Sequence, residues 1–232
     1  MPRPKKRKTM VKAFVFDLDG TLLDTLDDIH SVVNGVFLHR GLDGRTRQEV
    51  RQAVGRGVEH LVRTLLPSRA GDSSFISEMS DRIRDTYLEK GSVMTRPYEG
   101  IPELLVALQE RSIPMAVLTN KPQPSADEAV AVYFPGIEFR MVRGARRGAP
   151  LKPDPEASLP VIEALGCNAG SVIMLGDSDV DMDTAVNAGM VPVGVSWGFR
   201  DRQLLLSRGA RRIVDSPDEI LALAEADTIS GC

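Results

Sequence analysis

Cysteine, tryptophan and histidine are scarce in this chain. Its 232 residues include two cysteines, one tryptophan and three histidines, with aromatics at 5%. Cys167 and Cys232 form no Cys-x-x-Cys or Cys/His spacing, which excludes a zinc site, and one of them is the final residue. A reducing cytoplasm fits that usage. No apolar run approaches the roughly 18–20 residues that span a bilayer, and the basic N-terminus lacks an apolar stretch with a small-residue cleavage site behind it. The expectation is a soluble, unexported protein with no membrane partner.

Positive charge is scarce as well, outside one segment. Arg3, Lys5, Lys6, Arg7, Lys8 and Lys12 leave 23 basic residues to set against 32 acidic ones, so a net charge of −3 hides a body of −9. Such a body repels polyanions, and nucleic acid binding is expected only of the tail over residues 1–10. The run Pro4 to Lys8 resembles a nuclear-import signal, but its plain reading is a solvated charge run.

With 42% hydrophobic residues there is ample core material for a large domain, burying roughly 70% of its unfolded surface. Apolar runs bounded by turn residues recur at Ala13 to Phe16, Met115 to Leu118, Phe139 to Val142, Val172 to Leu175 and Val191 to Val195. Between them lie helix-length amphipathic stretches at Pro102 to Arg111, Ser125 to Tyr133, Glu156 to Leu165 and Asp179 to Ala188, the last followed by Gly189 as C-cap. A last helix starts at the capping box Ser216-Pro217-Asp218-Glu219. The alternation predicts an α/β fold, a Rossmann-like parallel sheet with helices on both faces. Residues 25–95 break it with purely helical periodicity: a helix over Asp27 to His39, a second from the capping box Thr46-Arg47-Gln48-Glu49, a turn at Gly55 and Gly57 before Val58 to Leu66, and a helix near Phe75 to Glu89. An all-helical insertion is expected there, hinged near Asp24 and around Gly91 to Pro97, with the core in residues 11–24 and 96–232.

Ligands of open parallel sheets gather at the carboxyl ends of the strands. The first strand ends in Asp17-Leu18-Asp19-Gly20-Thr21, where residues two apart address the same side. Another ends in Gly176-Asp177-Ser178-Asp179-Val180-Asp181, a crowd of carboxylates that repel unless a cation is present. An EF-hand fails here, because the sixth position is Met182 and the twelfth Ala188. Few carboxylates and oxygen-only donors suit Mg²⁺ completed by a substrate phosphate. Asp179 and Asp183 read as helix-dipole partners. Thr119, Asn120 and the backbone beside them can hold phosphate oxygens, and Lys152, ahead of Pro153, can present a fixed ammonium.

In this order, Asp17-Leu18-Asp19-Gly20-Thr21, Thr119, Lys152-Pro153 and Gly176-Asp177-Ser178 with Asp181 resemble the haloacid dehalogenase-like superfamily of phosphotransferases, over Val11 to about Leu223. The insertion resembles that superfamily's cap domain. The resemblance implies a phosphatase acting on a small phosphorylated metabolite. Asp17 would be the nucleophile forming an aspartyl-phosphate, and Asp19 the acid that protonates the leaving oxygen and then activates water. Mg²⁺ would be held by Asp17, the Asp19 carbonyl and Asp177, with Asp181 acting through water, and Thr119, Asn120 and Lys152 would bind phosphate. Asp19 argues against dehalogenases, which lack the second aspartate. The only lysine between 25 and 95 is Lys90, at the insertion's edge, which argues against phosphonatases with their cap lysine.

Val54-Gly55-Arg56-Gly57-Val58, Asn120-Lys121-Pro122, Lys152-Pro153-Asp154-Pro155 and Val195-Ser196-Trp197-Gly198 resemble bacterial phosphoglycolate phosphatases, with Leu151 a departure where such proteins are often basic. Arg56 is offered for a substrate carboxylate. The alternatives are a phosphosugar mutase of the β-phosphoglucomutase kind and a non-catalytic binding protein on the same fold. His30, His39 and His60 read as structural, and Trp197 as packing or a loop anchor. No linear feature fixes an oligomeric state.

Overall fold

The computed structural model describes residues 11–90 and 93–225; the basic tail expected over residues 1–10 and Cys232 lie outside them. Six parallel strands form one sheet in the order β5-β4-β1-β6-β7-β8. They are β1 (Ala13–Phe16), β4 (Met115–Pro122), β5 (Val142–Ala145), β6 (Val172–Gly176), β7 (Val191–Val195) and β8 (Arg212–Val214). β1 lies between β4 and β6, pairing Phe16 with Val117 on one side and with Leu175 on the other. The chain therefore leaves β1 towards one edge and returns to its other side, which makes the carboxyl end of β1 the topological switch point.

Period-two alternation places Phe14 and Phe16 in one apolar cluster with Leu105 and Ile173, and Ala13 and Val15 in another with Val161 and Met174. All of β1 is fully buried. Helices cover the sheet: α5 (Ile101–Glu110), α6 (Gln123–Tyr133), α7 (Leu159–Leu165), α8 (Asp179–Asn187), α9 (Arg202–Ser207) and α10 (Pro217–Glu225). Among the described residues no helix is long and apolar enough to cross a membrane.

Some elements depart from expectation. β5 begins where the Phe139 to Val142 run ends, because Phe139 and Met141 point into the two sheet-face clusters and ladder pairing with β4 starts at Val142. α7 starts three residues late, after a 3₁₀ turn over Pro155–Ala157, with Pro160 in its first turn. The box at Ser216 is modified: the Glu219 carboxylate accepts from the Asp215 N–H at 3.1 Å. β8 and α9 carry too few residues to show a period, although Asp201 caps α9 by accepting from the Leu204 N–H at 2.8 Å.

Residues after β1 build a helical layer. A short ribbon, β2 (Leu23–Asp24) with β3 (Arg96–Pro97), joins it to the sheet, pairing Leu23 with Pro97 and Asp24 with Arg96. Between them run α1 (Leu26–His39), α2 (Arg47–Ala53), α3 (Val58–Leu65) and α4 (Ser73–Lys90). Thr46 and Glu49 form the reciprocal capping box that starts α2. Val33, Phe37, Val50, Val62, Ile76 and Met79 give the layer its own buried cluster. Asp28, itself buried, ties the returning chain to α1 by accepting from the Thr95 N–H at 2.7 Å and the Thr95 hydroxyl at 2.6 Å.

Candidate active site

The carboxyl ends of β1, β4 and β6, with the loop carrying Lys152, converge on a cluster of buried charge. Asp17, Asp177 and Asp181 each offer an oxygen within 4.8 Å of the others. Lys152 is buried among them, its Nζ 2.6 Å from Asp181 Oδ1 and 2.9 Å from Asp17 Oδ1. The contact to Asp17 lies outside hydrogen-bond geometry, and Asp17 Oδ1 is buried without a hydrogen-bond partner.

The backbone is shaped around these carboxylates. Gly20 has φ +84°, and a Cβ there would run into the Asp177 carboxylate; a Cβ at Gly198 would meet Asp177 as well. Asp177 Oδ2 accepts from the Phe199 N–H at 2.7 Å. Ser178 caps α8, and Asp181 Oδ2 accepts from the Ser178 N–H at 3.0 Å, so Asp181 is held by its own helix start.

Electrostatics set the character of the cluster. Burial, with the Asp181 charge beside it, pushes Asp17 up to about 7, against the opposing pull of Lys152. Burial and the neighbouring Asp181 and Asp17 charges push Asp177 up to about 8. Burial alone would lower Lys152, but Asp17 and Asp181 outweigh it and hold the ammonium charged well above its usual range. Three close buried carboxylates, two of them with raised carboxyl groups, fit a hard divalent cation, which would relieve the repulsion. Asp17, Asp177 and Asp181 are the residues able to hold it. The Asp19 carboxylate lies outside that group, leaving its backbone carbonyl as the ligand the sequence proposed.

β4 brings the remaining expected residues. Thr119 is buried, and its Oγ1 accepts from the Lys121 N–H at 3.2 Å, which leaves its hydroxyl hydrogen free to donate. Asn120 meets partners within the protein. Its side-chain Nδ2 donates to the Gly55 carbonyl at 2.9 Å and the Lys152 carbonyl at 3.0 Å, while Oδ1 accepts from the Lys152 N–H at 2.9 Å. Both amide donors are satisfied within the protein.

Arg56 also meets a different partner: its guanidinium bonds Asp179 Oδ2 at 2.5 Å, at the start of α8. It joins the helical layer to the sheet. Arg200 does the same from the sheet side, donating to the carbonyls of Arg51 and Val54, each at 2.7 Å, and so satisfying the end of α2. Trp197 anchors the loop after β1, its Nε1 donating to the Thr21 carbonyl at 3.1 Å. His30 contacts the Arg45 carbonyl at 2.9 Å, within the helical layer.

Sequence reasoning missed the Lys121 side chain. It is buried, and its Nζ donates to Asp19 Oδ1 and to the Tyr87 hydroxyl, each at 3.0 Å. Burial would lower it, but Asp19 and Tyr87 hold it charged, raised above its usual range. The one available signal was its place directly after Thr119-Asn120 at a strand end.

Above the cluster lies a pocket that opens to solvent. The strand ends line its floor with Asp17, Asp19, Thr119, Lys121 and Asp177. The helical layer lines its roof with Ile29, Val54, Val58, Leu61, Ile83 and Tyr87.

Comparison with known proteins agrees with this geometry. The family model described as haloacid dehalogenase-like hydrolase matches residues 14–195. An N-acetylmuramic acid 6-phosphate phosphatase from Pseudomonas aeruginosa is 31% identical over 216 residues, covering 93% of this chain and 95% of that protein. A phosphoglycolate phosphatase from Neisseria meningitidis is 32% identical over 214 residues, covering 91% of this chain and 89% of that protein. A solved structure of a haloacid dehalogenase-like family hydrolase from Streptococcus pneumoniae, 26% identical, matches with a TM-score of 0.81 over 91% of this chain and 97% of that one.

Proposed function

The chain belongs to the haloacid dehalogenase-like hydrolase family, and we propose that within it this protein is a magnesium-dependent phosphatase of small phosphomonoesters, phosphoglycolate phosphatase-like, working through an aspartyl-phosphate on Asp17. The observation that carries the reading is Lys152, buried between Asp17 and Asp181 at the switch point of the sheet. A nucleophilic carboxylate facing an anionic phosphate needs fixed positive charge, and this ammonium is held charged by its neighbours.

Asp17, the Asp19 carbonyl and Asp177 would hold Mg²⁺, with Asp181 acting through water, and the ion would supply charge neutralisation for the phosphate oxygens and the neighbouring carboxylates. Lys152 and the Thr119 hydroxyl orient the remaining phosphate oxygens. An Asp17 carboxylate oxygen attacks phosphorus, and the bond from phosphorus to the ester oxygen breaks. Asp19 gives its proton to the departing oxygen. Its carboxylate then takes a proton from the water that attacks phosphorus, the bond to Asp17 breaks, and phosphate leaves.

Residues 25–95 act as a cap domain over the core of residues 11–24 and 96–232, shielding the phosphoenzyme from bulk solvent. Arg56 and Arg200 seat the cap. Two substrates are favoured by particular relatives: phosphoglycolate by the Neisseria protein and N-acetylmuramic acid 6-phosphate by the Pseudomonas protein. Phosphate release with Mg²⁺ across both compounds and small sugar phosphates, with Asp17→Asn beside the wild type, tests the reading. Release from one or more esters that vanishes in Asp17→Asn supports it. Isomerised sugar phosphate without free phosphate points to the mutase alternative, and turnover unaffected by Asp17→Asn overturns the mechanism.

A further inference from the structure

Two consecutive residues at the end of β4 each touch the helical layer with one polar contact and a reacting group with another. Asn120 Nδ2 bonds the Gly55 carbonyl, in the turn between α2 and α3, while the rest of the same amide grips Lys152 through both its backbone N–H and its carbonyl. Lys121 Nζ bonds the Tyr87 hydroxyl on α4, lies 4.2 Å from the centroid of that ring, and bonds Asp19 Oδ1. Adjacent residues of an extended segment point opposite ways, which lets two neighbours serve two separate groups.

We propose that Asn120 and Lys121 are positioning residues that make the geometry of the reacting groups depend on the seating of the helical layer, Asn120 acting through Lys152 and Lys121 through Asp19. The inference rests on the proposed roles of Lys152 in phosphate binding and Asp19 in proton transfer. With α4 in place, Tyr87 supplies the second partner that fixes the Lys121 ammonium, and the ammonium in turn fixes the Asp19 carboxylate at one oxygen, leaving the other for the leaving group. With Gly55 in place, the Asn120 amide is fully satisfied, and the Lys152 backbone is clamped on both sides. A displaced layer takes one partner from the Asn120 amide and one from the Lys121 ammonium, which weakens the restraint on both reacting groups together.

The two arms leave different kinetic signatures, which a merely structural role would not produce. A misplaced proton donor slows esters with poor leaving groups and spares those that depart without protonation, whereas a misplaced phosphate ligand slows all esters alike. The experiment measures kcat/KM with Mg²⁺ on a series of alkyl and aryl phosphomonoesters, including p-nitrophenyl phosphate, for wild type, Asp19→Asn, Lys121→Met, Tyr87→Phe and Asn120→Ala. Inhibition by inorganic phosphate is measured alongside.

Lys121→Met is expected to fall on alkyl esters by about 10²-fold and on p-nitrophenyl phosphate by far less, following Asp19→Asn in direction. Tyr87→Phe, which keeps the ring and removes one hydroxyl, is expected to follow it at a few-fold. Asn120→Ala is expected to fall evenly across the series and to weaken phosphate inhibition. A Lys121→Met or Tyr87→Phe enzyme with an unchanged dependence on the leaving group overturns the Lys121 arm, and an Asn120→Ala enzyme that binds phosphate like wild type overturns the Asn120 arm. A folded wild type that hydrolyses no ester in the series overturns the phosphatase reading itself, and this inference falls with it.

Discussion

The floor and the roof of the cavity are made in opposite ways. The floor and the cluster beneath it concentrate buried charge, where Asp17 and Asp177 past β1 and β6, Asp181 on α8 and Lys152 in its loop lie close together with backbone turned towards them. The roof is mostly apolar, with Arg84 as its charged lining residue and with Gly55, Arg56 and Tyr87 making polar contacts to the sheet side. Charge needs rigid support to stay buried, and a sheet centre gives it. An apolar roof excludes water and selects by shape, tasks that a separately packed set of helices can change without disturbing the floor. On the proposed function, chemistry belongs to the floor and choice of substrate to the roof.

Removing the floor's cation breaks the contrast most severely. Lys152→Met leaves the carboxylates unscreened, so activity is expected to drop by about 10³-fold, with a loss of about 3 kcal/mol or more in stability unless protons replace the ammonium. Steady-state kinetics and urea denaturation check both numbers. A variant near wild-type activity would move the burden of charge elsewhere.

Proton and metal linkage is the next largest effect. The folded carboxyl groups of Asp17 and Asp177 stand at about 7 and about 8, above the unfolded value of 3.8. Their stabilising contribution is therefore fully present below the unfolded value and is lost as pH rises through 7 to 8. In chelator the melting temperature is expected to fall between pH 6 and pH 9 by roughly 10 °C, corresponding to about 4 kcal/mol, and Mg²⁺ is expected to restore more at the alkaline end. Thermal melts over that range, with and without Mg²⁺, decide it; parallel curves would separate the carboxylates from the metal.

Roof substitutions should act on selection. Val58→Ala trims the cavity wall from a partly buried position, and is expected to change the ratio of kcat/KM between small and bulky phosphomonoesters by about 10-fold, with kcat on the smallest ester little changed. A uniform loss across esters would place chemistry in the roof. The smallest effect is expected away from the cavity altogether: the exposed pair of Arg40 and Glu78 should contribute less than about 1 kcal/mol, read from a double-mutant cycle.

The sequence displayed the floor far better than the roof. Asp17, Asp19, Thr119 and Asp177 sit at or just past strand ends that apolar runs announce, the sheet brings those ends together, and Lys152 reaches them from the loop after β5. The capping box at Thr46 was legible because its two partners are three residues apart. The partners of Asn120, Lys121 and Arg56 were not, because Gly55, Asp19, Tyr87 and Asp179 come from distant parts of the chain. A long-range polar contact leaves no period in the sequence. β8 and α9 were hidden for another reason, being too short for a period to be seen.

The most direct test of the central claim is to quench the Mg²⁺-loaded enzyme with acid during turnover of a substrate labelled in its phosphate, digest it, and look for label on the peptide carrying Asp17. The account predicts label on Asp17 that disappears in Asp17→Asn together with phosphate release. Rapid turnover with inversion of configuration at a chiral phosphorus and no label on that peptide would contradict it, since water would then attack the substrate directly.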